Sequence, residues 1–263
     1  MIEDEFYTTD ADEGASAPIW KRPRTEVPNL LLAGLDSLYI CYYLDLATSD
    51  LDFPDLETRK LMLAEGLDRN APVQIGSEQF ILKPYGAKPY RYVLSNADFE
   101  IALGERISPS MKVHFSSKAL WHQGAASLHQ RINEWAQSIR ALAFKPETVS
   151  RADWAFDFDT DKPNIAHEHI VSRAQKIGQW IQRDHVQSVQ IGTGDTVVRL
   201  YDKVAEIKQA SDKSWFYELW GQSENVWRIE FQVRRERLKH AGINAFADLE
   251  SFQGDLLREL SHH

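Results

Sequence analysis

Three segments of this 263-residue chain alternate apolar and polar side chains with a period of two, and each sets charge in the middle of the alternation. Successive side chains of a strand point to opposite faces. In Arg151-Ala152-Asp153-Trp154-Ala155-Phe156-Asp157, this places Arg151, Asp153, Ala155 and Asp157 on one face and Trp154 and Phe156 on the other. In Val197-Val198-Arg199-Leu200-Tyr201-Asp202-Lys203, Arg199, Tyr201 and Lys203 share a face. In Trp227-Arg228-Ile229-Glu230-Phe231-Gln232-Val233, Ile229, Phe231 and Val233 form the apolar side, and Arg228, Glu230 and Gln232 the polar one. One such strand is what an antiparallel sheet with a wet face produces. Three of them predict a polar sheet surface that carries a site. The fold class expected is α+β, with antiparallel-rich sheet and packed helices.

The residue types on that face suggest a chemistry. A tyrosine hydroxyl has a reference pKa of about 10. Cations on either side favour its phenolate, so Tyr201 between Arg199 and Lys203 is expected to ionise more readily than a free phenol. Such a tyrosine can attack a phosphodiester and stay attached to the phosphate. Arg199, Lys203 and Arg228 would offset the negative charge that develops. Carboxylates converging from separate strands suit a hard divalent cation, Mg²⁺ or Mn²⁺, which prefers oxygen ligands and polarises phosphate as a Lewis acid. The plain alternative is a solvated strand with an ordinary tyrosine.

Taken in order, Ser150-Arg151-Ala152-Asp153-Trp154-Ala155-Phe156-Asp157, then Arg199-Leu200-Tyr201-Asp202-Lys203 with Glu206, then Arg228-Ile229-Glu230 resemble the Rep_trans family. These are replication initiation factors of rolling-circle plasmids and some phages, with related relaxases of conjugative elements. The resemblance spans roughly residues 35 to 245. It implies a fold akin to the HUH endonucleases, with acidic metal ligands in place of the histidine pair. It implies that Tyr201 cuts one DNA strand, remains joined to the 5′ phosphate and frees a 3′ hydroxyl. Asp153, Asp157 and Glu230 are the carboxylates that match the motif and would hold the metal. The implied partners are origin DNA, single-stranded or locally melted, and host helicase and replication proteins. A homodimer would suit an origin-binding protein.

Arg234-Arg235-Glu236-Arg237, with Arg151, are the candidate phosphate contacts, although a charge run also suits a solvated helix start. The formal net charge of −9 runs against a general nucleic-acid binder. Much of the imbalance comes from Glu3, Asp4, Glu5, Asp10, Asp12 and Glu13, in a polar segment over 1–28 expected to be a disordered tail. A single cysteine, Cys41, excludes a disulfide framework and fits a cytoplasmic protein. No apolar run is long enough to span a bilayer, so no membrane association is expected. His262-His263 reads as a tag remnant.

Beyond the tail, the reading gives two α/β halves, 29–148 and 149–263, with the motifs in the second. Strands are expected over Leu35–Leu46, Gln79–Pro84, Tyr90–Leu94, Phe99–Leu103, Met111–Ser116, Arg151–Phe158, Val186–Ile191, Thr196–Lys203 and Asn225–Arg234. Helices are expected over Leu56–Leu67, Leu120–Leu142, Ile165–Gln182, Val204–Ala210 and at the C-terminus, with Pro146 ending the first unit. An offset of 116 residues sets Ser37 against Asp153 and His114 against Glu230, which suggests an internal duplication. His167-Glu168-His169 lacks the pattern of an HUH motif, and Gly192-Thr193-Gly194-Asp195 reads as a hairpin turn. Competing functions are a mobilisation relaxase with the same chemistry, a DNA-binding relative without nicking, and an interaction protein on the same scaffold.

Overall fold

The computed structural model describes residues 28–68, 71–161, 163, 172, 174, 176–182 and 185–261. Residues 1–27 of the tail expected over 1–28, the His167-Glu168-His169 segment and the terminal His262-His263 lie outside them. The structure is α+β. Eleven strands form one antiparallel sheet, and among the described residues seven helices pack around it.

The strands are β1 (Asn29–Asp45), β2 (Pro72–Ile75), β3 (Glu78–Leu82), β4 (Tyr92–Ser95), β5 (Phe99–Leu103), β6 (Met111–Phe115), β7 (Leu142–Asp159), β8 (Ile177–Gln182), β9 (His185–Ile191), β10 (Thr196–Asp202) and β11 (Val226–Arg234). The helices are α1 (Phe53–Ala64), α2 (Ser117–Gln123), α3 (Ala125–Ser138), α4 (Lys203–Ala210), α5 (Phe216–Trp220), α6 (Arg235–His240) and α7 (Ala247–Ser261). The two long strands β1 and β7 pair at the centre of the sheet. Outward from them run β6, β5, β4, β3 and β2 on one side, and β11, β10, β9 and β8 on the other.

The order is therefore close to mirror-related about the β1–β7 seam. The 116-residue offset holds between β6 and β11 and between β1 and β7, whereas β5 and β10 lie 99 residues apart. Glu100 pairs with His114 and Ala102 with Lys112 on β5–β6. Arg199 pairs with Glu230 and Tyr201 with Arg228 on β10–β11. At the seam, Ser37 and Asp153 are register partners.

Alternation makes one face of this sheet apolar. Leu38, Ile40, Tyr42 and Leu44 of β1, with Ala152 and Trp154 of β7 and Val233 of β11, point into a core shared with α1, α2, α3, α6 and α7. Trp135 is fully buried there, and its indole N–H donates to the Ile75 carbonyl at 2.8 Å. A smaller core lies on the opposite face, where Val204 and Ile207 of α4 and Phe216 and Trp220 of α5 pack on Val226, Leu31 and Leu32. Gly34 is required under this second core. A Cβ there would come within 2.9 Å of the Trp121 ring.

Three expectations are corrected. The segment Ile165–Gln182 does not continue as a helix to its end: Ile177–Gln182 is β8, paired with β9. Its Ile-Gly-Gln-Trp-Ile run suits a pleated surface better than a helix, and β9 supplies backbone partners. The Leu120–Leu142 helix is two helices, broken at Gly124, whose φ of +80° favours glycine. Pro146 does not end a unit but lies within β7. That part of β7 has no β11 partner, because β11 pairs only from Arg151 to Asp159, and a free strand edge tolerates a missing N–H. The short β2 was not foreseen. No described helix is long and apolar enough to cross a membrane.

Candidate active site on the polar face

The β10–β11 register brings Arg199 beside Glu230 and Tyr201 beside Arg228. The Tyr201 hydroxyl donates to Glu230 Oε2 at 3.0 Å, and Arg199 Nη1 donates to Glu230 Oε1 at 2.8 Å. Arg199 is steadied by Gln190 and Gln232, each at 3.2 Å. Tyr201 and Arg199 line an open cleft of about 440 Å³ between β8, β9, β10 and α4. Trp180, half exposed at 54%, Ser188 and Glu206 complete its walls.

Behind this pair lies a buried ion-pair network. Arg228 is 0% exposed. Its Nε and Nη2 donate to the two oxygens of Asp157 at 2.6 and 2.8 Å, and the Trp220 indole adds a third bond to Asp157 at 2.8 Å. Its Nη1 is 2.9 Å from Asp36 Oδ1 but is not aligned for a hydrogen bond, and finds no other acceptor. The guanidinium also lies 4.5 Å from the Phe216 ring centroid. Asp36 further accepts from Ser117 at 2.7 Å, Trp121 at 2.9 Å and Lys213 at 3.5 Å. Burial alone would push the Asp36 carboxyl up, but Arg228, Lys213 and the Trp121 indole outweigh it and hold the group well below the usual carboxylate range. Burial likewise works against the Arg228 charge, and Asp157 and Asp36 more than restore it.

Asp36 is the main residue that sequence reasoning missed. The signal was present: a carboxylate inside the apolar run Leu30–Leu38. A register shift between Leu35 and Ser37 turns it toward Arg228, which simple alternation does not foresee.

Lys203 begins α4, and Asp202 caps that helix by accepting from the Ala205 N–H at 2.8 Å. Asp202 thus has a structural task. Lys203 Nζ is buried, donates to Glu206 at 2.6 Å and lies 5.6 Å from the Tyr201 ring centroid. Burial, then repulsion from Arg228 and Lys213, lowers its pKa. The expected phenolate at Tyr201 is corrected. Burial and the negative charge of Glu230 push the hydroxyl well above its ordinary value, and Arg228 opposes them only in part. Tyr201 is a neutral phenol that donates a proton to a carboxylate.

The three predicted metal ligands are not brought together as a cage. Asp157 is saturated by Arg228 and Trp220. Asp153 holds the Arg151 guanidinium with both oxygens, one contact being 2.8 Å. Burial raises its pKa, with Arg151 opposing. Glu230 is shared by Arg199 and Tyr201. Among the described residues no three His, Cys, Asp or Glu side chains are grouped to hold a metal ion. As arranged, these donors do not fit Mg²⁺ or Mn²⁺: an ion would have to displace Arg151 from Asp153 or Arg199 from Glu230.

The basic run also divides. Arg235 is tied to the carbonyls of Val149 and Ile243 and to Asn244, and Arg237 pairs with Glu259 at 2.7 Å. Arg234 is exposed and is the cross-strand partner of Arg151, so these two cations stand together on the polar face.

No family model matches the chain, and no curated protein matches it. Among solved structures, it is similar to a rolling circle replication initiator protein from Geobacillus stearothermophilus, with 14% identity over 77% of this chain and 74% of that one, at a TM-score of 0.39.

Proposed function

We propose that this protein is a site- and strand-specific DNA nicking and joining enzyme that acts on single-stranded or locally melted DNA, with Tyr201 as its nucleophile. The observation that carries the reading is the Arg199–Glu230–Tyr201 arrangement at the cleft. A tyrosine hydroxyl donates to a carboxylate at 3.0 Å, a guanidinium holds the other carboxylate oxygen, and Tyr201 lines the cleft. The order of motifs that resembles the rolling-circle initiators supports the same reading.

The chemistry follows from these groups. Tyr201 Oη attacks the phosphorus in line while its proton passes to Glu230. The bond from phosphorus to the 3′ oxygen breaks, the 5′ phosphate remains on Tyr201, and the 3′ oxygen takes a proton from solvent. The free 3′ hydroxyl can prime rolling-circle synthesis, or the strand can be rejoined elsewhere, as in mobilisation. Arg199 stands at the cleft to offset charge on the phosphate. Arg228 is enclosed and acts as a positioning residue. It fixes β11 through Asp157 and Asp36, and its charge reaches Tyr201 only through space.

The test is incubation with single-stranded oligonucleotides and Mn²⁺ or Mg²⁺, followed by denaturing electrophoresis. A covalent adduct that disappears in Tyr201→Phe is expected. An adduct that survives in Tyr201→Phe removes the nucleophile assignment. The neutral state of Tyr201 favours a second reading, DNA binding without nicking. Binding that persists in EDTA, with no adduct under any condition, would select it.

A further inference from the structure

A pocket of about 400 Å³ opens on the other half of the polar face, between β1, β5, β6 and the 87–90 loop. We propose that this pocket is a second subsite for single-stranded DNA, which holds a nucleotide of the same strand that reaches Tyr201. The inference rests on the function proposed above and extends it to a surface remote from the cleft.

Position is the first argument. By strand order and register, β5 and β6 stand where β10 and β11 stand across the seam. Ala102 takes the place of Tyr201, Glu100 that of Arg199, Lys112 that of Arg228 and His114 that of Glu230. The nucleophile and its carboxylate are absent from these positions, so this half has no means of cutting. A capacity to bind remains.

Chemistry is the second argument. The Tyr39 and His114 rings stack at 4.2 Å and 4°. Lys112 Nζ lies 5.0 Å, and the Arg151 guanidinium 5.1 Å, from the Tyr39 centroid. His114 shares a 3.1 Å hydrogen bond with Ser37. Burial, with Arg151 and Lys112 nearby, lowers its pKa to about 4, so at neutral pH it is an uncharged ring. Lys88 is exposed on the rim, and neither Lys88 nor Lys112 forms an ion pair among the described residues. Aromatic walls with unpaired cations are how proteins take single strands without strong sequence preference. Glu100, on the outer wall, disfavours phosphate there and leaves the Lys112 side for the backbone.

Continuity is the third. From β10 to β6 the face crosses β11, β7 and β1, four strand spacings or about 19 Å, and the registers set Tyr39 and His114 six residues, about 20 Å, along the strands from the Tyr201 level, a diagonal of about 28 Å. Arg151 and Arg234 stand on that span. A strand stacked at about 3.4 Å per nucleotide crosses it in about eight nucleotides.

The experiment measures anisotropy of fluorescent oligo(dT), about 4 to 16 nucleotides long, in EDTA at low salt. Wild-type affinity is expected to step upward once the oligomer spans both pockets. Tyr39→Ala and Lys112→Ala should lose that step, by about tenfold, on the longer oligomers only. Tyr39→Phe, which keeps the ring, should retain it. Circular dichroism melts establish that each variant is folded, and Lys112→Ala changes only a partly exposed side chain. A step unchanged in both alanine variants overturns the subsite while leaving the Tyr201 reading intact. Failure of the wild type to bind any oligomer overturns both.

Discussion

The two halves of the polar face share a scaffold and differ in what covers it. Between β5 and β6 the chain makes a short turn over 104–110. Between β10 and β11 it makes α4 and α5, which bring Lys203, Glu206, Lys213, Phe216 and Trp220 over the sheet. The first half therefore leaves Lys112 partly exposed beside Tyr39. In the second half Arg228, at the equivalent register, is sealed beneath Phe216 between Asp157 and Asp36. One strand arrangement thus yields an open cationic pocket or an enclosed network that holds a tyrosine against a carboxylate. The connection between two strands makes the difference.

The comparison can be broken at several points. The largest effect is expected from Tyr201→Phe, which should abolish covalent adduct in the denaturing-gel assay. Glu230→Gln should slow adduct formation by about 10²- to 10⁴-fold, the usual range for loss of a proton acceptor. A wild-type rate in that variant would show that the carboxylate does not separate the two halves. Arg228→Met should destabilise by about 3–5 kcal/mol in urea unfolding, because Asp157 and Asp36 would lose their partner in a dry site. Lys112→Ala at the equivalent position should stay within about 0.5 kcal/mol. Equal costs would erase the distinction between sealed and open.

The smaller effects are pH dependences. The Asp36 carboxyl is lowered in the fold, so its stabilisation is complete above the ordinary aspartate value near 3.8 and fades as pH falls below it. The stability gap between wild type and Asp36→Asn should accordingly narrow on acidification through that range in pH-dependent melts. His114 works across the seam in the same direction for a different reason. Its folded pKa is lowered from 6.5 to about 4, so the unfolded chain takes up the proton first. Wild-type stability should fall between those values, and His114→Gln should lack that component.

Much of this was legible before the fold was known. Period-two alternation placed Asp153, Asp157, Arg199, Tyr201, Arg228 and Glu230 on one face, and the strand registers agree. The offset that linked Ser37 to Asp153 and His114 to Glu230 falls on β1 and β7, adjacent at the centre of the sheet, and on β6 and β11, which flank them. Alternation could not say which carboxylate meets which cation. Asp157 was read as a metal ligand and is the counterion of Arg228. Arg235 and Arg237 were read as phosphate contacts and instead hold the Val149 carbonyl and Glu259. Segment Ile177–Gln182 fitted helical spacing locally, and only the offer of hydrogen bonds from β9 made it a strand.

By itself the sequence determined the face on which the chemistry-bearing side chains stand, because a strand's side chains obey a local, two-residue rule. The tertiary structure decided their partners and charge states. A register shift turned Asp36 inward, two helices shut out water above Arg228, and burial beside Glu230 made Tyr201 a neutral proton donor rather than a phenolate. Those outcomes depend on distance and solvent exclusion between segments far apart in the chain, which set electrostatic energies that no local pattern encodes.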